Sequence, residues 1–402
     1  MEKVFIVAAK RTPIGAFGGS LKNTSAGNLA AVAIKGALEA AKLNADKIDE
    51  VIVGNVVGAG QGMGVGRQAA LFAGIPDAVP AYGVNMVCGS GMKTVMDAVS
   101  HIRSGDAEIV VAAGVEVMSQ IPFAAPSSIR DGNKMGNLEL KDLLVADGLT
   151  DVYNQYHMGV TAENVAKEIG LTRQQQDEYA LSSQQKAVAA IEAGKFKDEI
   201  VPVEVKQRRE TVLFDTDEYP KANATMEALS KLRPAFDREG TVTAGNASGI
   251  NDGASAIIVA SESAVKAHGL TPIAEIVSYA QSGLDPKIMG LGPVESVNKA
   301  LAKAELTVND IDVYELNEAF AAQALGVIHQ LAETNQVPVN AIQDKANFNG
   351  GAIALGHPLG ASGNRILVTL VHELHKQNGQ YGVASLCVGG GMGTAVVLKA
   401  VK

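Results

Sequence analysis

Along the first third of the chain, short runs of Val and Ile alternate with longer Ala-rich stretches. The apolar runs are "VFIVAA" (4–9), "DEVIVGNV" (49–56) and "AEIVVAAGVE" (107–116). Between them stand "LAAVAIKGALEAAKL" (29–43) and "VCGSGMKTVMDAVSHIRSG" (87–105), which read as helices. Unbroken apolar runs of this length predict strands covered on both faces, with the helices as the cover. The fold class is therefore α/β, a layered sheet.

The pattern then returns. "ALEAAKLNADKIDEVIVGN" (37–55) aligns with "ALAKAELTVNDIDVYELNE" (300–318), so that Ala37, Leu38, Ala41, Leu43, Ile48 and Asp49 meet Ala300, Leu301, Ala304, Leu306, Ile311 and Asp312. Further on, Ser90-Gly91 and its helix meet Ser362-Gly363, and "AEIVVAAG" meets "YGVASLCVGG" (381–390). Three matches in one order predict a duplication. The expected division is 1–119 for the N-terminal half, 120–249 for an inserted loop or substrate domain, and 250–402 for the C-terminal half. The insertion is more polar and mixes helical with irregular segments, as binding elements set on a rigid core commonly do.

Composition narrows the function classes. The chain has 402 residues, 47% hydrophobic and 19% charged, which is a soluble globular balance at a length that suits more than one core. A net charge of −9 leaves no footprint for nucleic acid, and a phosphate-rich substrate would need a local basic patch. No apolar run approaches the ~18–20 residues of a membrane helix, and the start lacks the order of a signal peptide. Two cysteines, Cys88 and Cys387, fit neither a disulfide framework nor metal-ligand spacing. A reducing, cytoplasmic setting is the expectation, with no nucleic-acid and no membrane partner.

Four motifs place reactive groups beside turns. Cys88 precedes Gly-Ser-Gly and a helix start: it either packs as a small hydrophobe or acts as a nucleophile whose thiolate the helix N-terminus favours. Its counterpart in the repeat is Gly360, so the duplicated frame does not itself require a thiol. His357, in "GGAIALGHPLGASG" (350–363), is a loop imidazole at the equivalent helix start, suited to taking a proton near neutral pH. Cys387 ends an apolar strand before three glycines, which expose backbone N–H groups for a developing oxyanion. Asn317, in "YELNEAFA" (314–321), reads either as a helix N-cap or as an amide that holds a water or a carbonyl oxygen.

"VNMVCGSGMKTV", "NEAFAAQAL", "GGAIALGHPLGASG" and "CVGGGMG" occur in this order along essentially the whole chain. In them the sequence resembles the thiolase family, in particular its short-chain acetyl-CoA C-acetyltransferase type. "GNASGINDGASA" (245–256) and "YHMGVTAENVA" (156–166) resemble that family's substrate-binding segments. The resemblance implies a duplicated fold of mixed sheets layered α-β-α-β-α. It implies reversible condensation of two acetyl-CoA through an acetyl group on Cys88. Within that reading His357 takes the Cys88 proton, Cys387 is the second acid/base, and Asn317 holds a water. The N–H groups of Cys88 and Gly389 bind the acyl oxygen.

The resemblance also places Ser248 and Ala247 along the pantetheine arm, with Met158, Leu149, Ala319 and Phe320 at the acyl end and His157 on the thioester. Lys221 and the run "KQRRE" (206–210) are the cations offered to the nucleotide. Lys221 stands where the family often has Arg, and a lysine meets phosphate without the planar bidentate geometry. No cofactor is implied beyond CoA thioesters as substrates, no metal, and a homotetramer built as a dimer of dimers. The alternatives are a longer-chain 3-ketoacyl-CoA thiolase, a decarboxylating condensing enzyme, and a non-catalytic acyl-CoA carrier on the same fold. "VVGAGQGMGVGRQAA" (56–70) is too glycine-dense for a dinucleotide fingerprint, which argues against a nicotinamide dehydrogenase.

Overall fold

The computed structural model describes residues 2–207 and 210–402. The strands along the main sheet are β1 Val4–Arg11, β2 Glu50–Gly54, β3 Ala81–Val84, β4 Ile109–Val117, β5 Asn251–Ser261, β6 Ala274–Gly283, β7 Val313–Leu316, β8 Tyr381–Val388 and β9 Met392–Ala400. They hydrogen-bond in the order β7-β8-β9-β6-β1-β5-β4-β2-β3, in a mixed sheet. The outer pairs β7·β8, β2·β3 and β2·β4 are parallel, and the inner pairs are antiparallel. The two halves meet where β1 pairs with β6 over only two positions, Phe5 with Glu275 and Ile6 with Ala274.

Period-2 alternation sends successive side chains to opposite layers. On β2, Val51 and Val53 join the cluster under helices α1 (Ala26–Ala41) and α2 (Val65–Phe72), while Ile52 faces the middle of the molecule. That middle layer is formed by α3 (Ser90–Ser104) and, numbered in chain order, α8 (Leu359–Lys376). On it β2, β4 and β5 of one half and β7, β8 and β9 of the other converge. The last layer holds α6 (Gly292–Lys303) and α7 (Ala321–Thr334). Five layers, α-β-α-β-α, follow. Each fully buried Val, Ile or Leu contributes about 1.5–3 kcal/mol, and β4 and β5 are buried at every position.

Residue 251 opens β5, which pairs with β1 and β4 and so completes the sheet of the first half. The sequence division at 249/250 falls just before this strand. Residues 118–250 therefore interrupt one strand pair, β4 and β5. In the second half the corresponding pair, β8 and β9, is joined by Gly389-Gly390-Gly391 alone. An apolar strand carries no mark of the half it will pair with, which is why pattern alone split it off.

The insertion carries α4 (Met158–Ile169) and α5 (Arg173–Glu192), the latter opened by a Thr172/Gln175 capping box. Glu163 of α4 accepts from the N–H groups of Thr241 and Val242, tying the end of the insertion to its helix. No helix among the described residues is long and apolar enough to cross a membrane.

The helices α3 and α8 cross at their first turns, where each half supplies a glycine. A Cβ on Gly91 would stand 2.7 Å from the Gly360 carbonyl oxygen, and one on Gly363 2.5 Å from the Met92 nitrogen. The shared Ser-Gly step of the repeat is thus a packing requirement. It also sets the two reactive loops side by side.

Candidate active site

A cavity of about 310 Å³ opens at this crossing. Cys88, His357, Cys387 and Gly389 line it, together with Ala247, Ser248, His157, Met158, Leu149, Ala319 and Phe320. The structure therefore gathers eleven of the thirteen residues singled out from sequence; Asn317 and Lys221 do not line it.

Cys88 sits on a strained turn. Val87, a β-branched residue, has φ +46°, a conformation that costs roughly 1–3 kcal/mol and persists only when its surroundings enforce it. Asn85 accepts from the Val87 N–H at 3.0 Å. Ser90 accepts from the Met86 N–H at 2.8 Å and donates to the Val87 carbonyl at 2.6 Å. The serine of Cys-Gly-Ser-Gly is the clamp of the turn. The N–H groups of Gly389 and of Cys88 itself point at the Cys88 sulfur and favour its thiolate, but burial outweighs them and pushes the thiol up to about 11. Desolvation outweighs the helix end, which leaves a thiol whose proton His357 would have to take. Cys387 is buried beneath, raised further by burial and by the neighbouring Cys88. Both cysteines are free.

His357 is held in one tautomer. Its Nδ1 lies 2.6 Å from the Ser362 hydroxyl, which spends its own proton on the Pro358 carbonyl at 2.9 Å. Ser362 can therefore only accept from Nδ1–H, which leaves Nε2 as a bare lone pair. Nε2 has no partner among the described residues. Burial, with Arg365 acting in the same direction, lowers the imidazole to about 4.

Asn317 is not the N-cap of α7; that position belongs to Phe320. Its main-chain N–H donates to the Ser385 carbonyl. Its amide is buried with neither Oδ1 nor Nδ2 paired among the described residues, which leaves both to a water or ligand. His157 caps α4, its Nδ1 accepting from Gly159 N–H at 3.0 Å, and its ring stacks on Phe236 at 4.6 Å. An accepting Nδ1 fixes the proton on Nε2. Ser248 N–H donates to the Ala319 carbonyl at 2.9 Å, and Ala247 bridges to Phe320, joining the insertion to the acyl end. Lys221 is exposed, its Nζ 5.6 Å from the ring centroid of Tyr219, which lines the cavity. Of the basic run 206–210, Arg208 and Arg209 lie outside the described residues. Among the described residues no cluster of three His, Cys, Asp or Glu side chains is arranged to hold a metal ion.

Residues 4–263 match the family model described as thiolase, N-terminal domain, and residues 270–400 the one described as thiolase, C-terminal domain. The chain belongs to the thiolase family. Among thiolases it is 55% identical to the acetyl-CoA acetyltransferase of Cupriavidus necator over 99% of this chain and 100% of that protein. It superposes on the acetyl-CoA acetyltransferase of Syntrophomonas wolfei with a TM-score of 0.96 at 39% identity, covering 100% of both chains. The human mitochondrial 3-ketoacyl-CoA thiolase in complex with CoA gives a TM-score of 0.93 at 46% identity, covering 100% of this chain and 98% of that one.

Sequence reasoning passed over several residues that shape this thiolase site. Glu116, fully buried, accepts from the N–H groups of Val56, Val57 and Gly360 at 3.0, 3.1 and 2.9 Å, fastening the α8 start to the loop after β2. Burial raises it to about 7 against those amides. Its signal was present: one acid inside the apolar run 109–118. Ser362 was visible only as half of a repeat signature. Glu318 accepts from Ser183 at 2.6 Å and Asn347 at 2.8 Å, linking α5 to the loop of Asn317. Met118, Tyr219, Phe236 and Met289 line the cavity without any local pattern that marks them.

Proposed function

We propose the following division of labour for the acetyl transfer that this acyltransferase, an acetyl-CoA C-acetyltransferase, catalyses between CoA thioesters. Cys88 Sγ attacks the keto carbon of acetoacetyl-CoA as His357 Nε2 takes its proton. The carbon–carbon bond breaks, the departing acetyl-CoA carbanion takes the Cys387 proton, and the acetyl group stays on Cys88. Incoming CoA gives its thiol proton to Cys387 and attacks the acetyl carbon. Cys88 leaves and recovers its proton from His357. Every step runs backwards in condensation.

The observation that carries this reading is the bare, buried Nε2 of His357, its tautomer set by Ser362, in a residue that lines the same cavity as two cysteines. Both Cys88 and His357 rest neutral, so the proton moves as the C–S bond forms. The N–H groups of Cys88 and Gly389 would meet the acyl oxygen, and a water on Asn317, with His357 once it holds the Cys88 proton, would meet the enolate. Ser248 and Ala247 would follow the pantetheine arm, with His157 Nε2–H at the thioester and Met158, Leu149, Ala319 and Phe320 around the acyl group. Lys221 would meet the nucleotide phosphates.

CoA-dependent loss of acetoacetyl-CoA, run beside a longer 3-ketoacyl-CoA, tests the reading. Fast cleavage of the short substrate alone supports it. Preference for the long one moves the chain to the degradative branch, which the similarity to the human 3-ketoacyl-CoA thiolase keeps as the second reading. Free thiols and the lack of a membrane-spanning helix among the described residues favour a cytoplasmic setting. A homotetramer is supported by the outer edge of β3, at one end of the sheet. It is supported also by exposed apolar side chains along 123–153, such as Met135 at 92% and Tyr153 at 71% exposure. Light scattering that reads a monomer would remove it.

A further inference from the structure

The glycine pair that opens "GGAIALGHPLGASG" answers to a buried carboxyl, that of Glu318. Four groups donate to its two oxygens: the Ser183 hydroxyl at 2.6 Å, the Asn347 amide at 2.8 Å, the Tyr179 hydroxyl at 3.2 Å and the Ile353 main-chain N–H at 3.3 Å. All four donors are neutral, and Glu318 is 1% exposed. Glu199 and Asp217 are buried too, but they offset the charge of Arg11. Burying a carboxyl on neutral donors alone costs stability, and the hydrogen bonds offset that cost only while all of them are made.

Three segments meet on this carboxyl. Tyr179 and Ser183 belong to α5, Asn347 and Ile353 to the segment that leads to His357, and Glu318 itself follows Asn317. The Asn347 amide also closes on the main chain of Leu316: its Oδ1 accepts from the N–H at 2.9 Å and its Nδ2 donates to the carbonyl at 2.8 Å. Ser183 Oγ accepts from the Gly351 N–H at 3.0 Å. A Cβ on Gly351 would stand 2.3 Å from Glu318 Cδ, and one on Gly350, where φ is +72°, 2.4 Å from the Ser183 carbonyl oxygen. Neither position admits a side chain, so the two glycines let the main chain close onto the clamp. From Gly351 the chain passes through the single-turn helix Ala352–Leu355 to Gly356 and His357.

We propose that Glu318 is a positioning residue, whose buried carboxyl holds the Asn317 amide and the approach to His357 in one arrangement, so that both meet the same enolate oxygen. Glu318 does not itself line the cavity. The inference rests on the roles proposed above for Asn317 and His357 and deepens them. It also says which step suffers when the clamp is loosened. Acetylation of Cys88 by acetyl-CoA draws on His357 and on the cavity N–H groups. Carbon–carbon bond formation draws on the enolate, and so on both of the groups that Glu318 sets.

The test compares the two steps in full-length E318Q, where one acceptor oxygen and an NH₂ group replace two acceptor oxygens and donors must face donors. Both rates are taken per alkylatable Cys88 thiol, which removes any unfolded fraction. Condensation of acetyl-CoA should fall about 10–100-fold further than acetylation of Cys88, with the KM for acetyl-CoA within about twofold of the parent. S183A, which takes away one donor and the acceptor for Gly351 N–H, should show the same selectivity at smaller amplitude and serves if E318Q does not fold. N317A gives the reference for a lost amide, and E318Q should add little to its condensation defect, because both act on one group. Equal losses in the two assays, or losses that add fully in N317A/E318Q, overturn the proposal. A parental condensation rate in N317A would instead remove the amide from the reading above, and this inference with it.

Discussion

Replacing Ser362 by Ala isolates the device that prepares His357. The substitution removes the acceptor 2.6 Å from Nδ1 and the hydroxyl bonded 2.9 Å from the Pro358 carbonyl. It leaves the buried Nδ1–H without a partner, a loss of roughly 1–3 kcal/mol. That loss is also the bias holding the proton on Nδ1, so the tautomer with a bare Nε2 loses population. At 1.4 kcal/mol per factor of ten, kcat/KM for acetoacetyl-CoA thiolysis should fall by about 10–100-fold. KM should change little, because Ser362 touches no substrate-facing wall. Thermal unfolding of S362A should show a matching destabilisation. S278A, which breaks a 2.6 Å bond to the Ala300 carbonyl far from the cavity, should lose stability of about 1 kcal/mol and no rate. A kcat/KM for S362A within twofold of the parent would refute the tautomer argument.

Three further outcomes follow from the same geometry. C387A should still form the acetyl-enzyme from acetyl-CoA, where the leaving group is a thiolate that needs little help from an acid, but condense two acetyl-CoA more than about 100-fold slower, since general acid–base groups supply 10²–10⁴; equal loss in both assays would remove its role towards the carbanion. In G91A the new Cβ would meet two main-chain atoms, Gly360 O at 2.7 Å and Asn364 N at 2.9 Å. Neither can swing aside, so denaturant unfolding should show a loss of about 1–3 kcal/mol, and activity should drop as the helix starts separate. His357 is lowered from 6.5 to about 4 on folding. Between those values the unfolded chain binds the proton and the native protein does not, so its contribution is neutral above pH 6.5 and turns destabilising as pH falls towards 4. Unfolding free energy relative to H357N should therefore decline by about 2 kcal/mol between pH 7 and pH 5. A flat difference would contradict the burial of a neutral imidazole.

The α/β class and the duplication were legible because they rest on local signals: strand runs buried on both faces, and a helix signature repeated at a fixed distance. The chemistry was legible for a similar reason. Cys88, His357 and Cys387 stand beside glycines, and the glycines answer to geometry, at Gly91 and Gly363 where helices touch and at Gly390 and Gly391 where φ is +88° and +85°. What escaped depends on long-range contact. The place of β5 in the first half is set by pairing across the insertion. Glu116 acts through amides far away in sequence, and Ser362 through a bond to His357 that the folded loop brings within reach, neither of which a one-dimensional pattern displays. At Cys88 the helix end is local and visible, whereas the desolvation that overrides it belongs to the assembled cavity.

Acid-quenched mass mapping of the protein after brief exposure to acetoacetyl-CoA without CoA tests the central claim most directly. The account predicts one acetyl group on the peptide that carries Cys88 and none on the peptide that carries Cys387. Acetyl on Cys387, or on neither cysteine while the substrate is still cleaved, would contradict it.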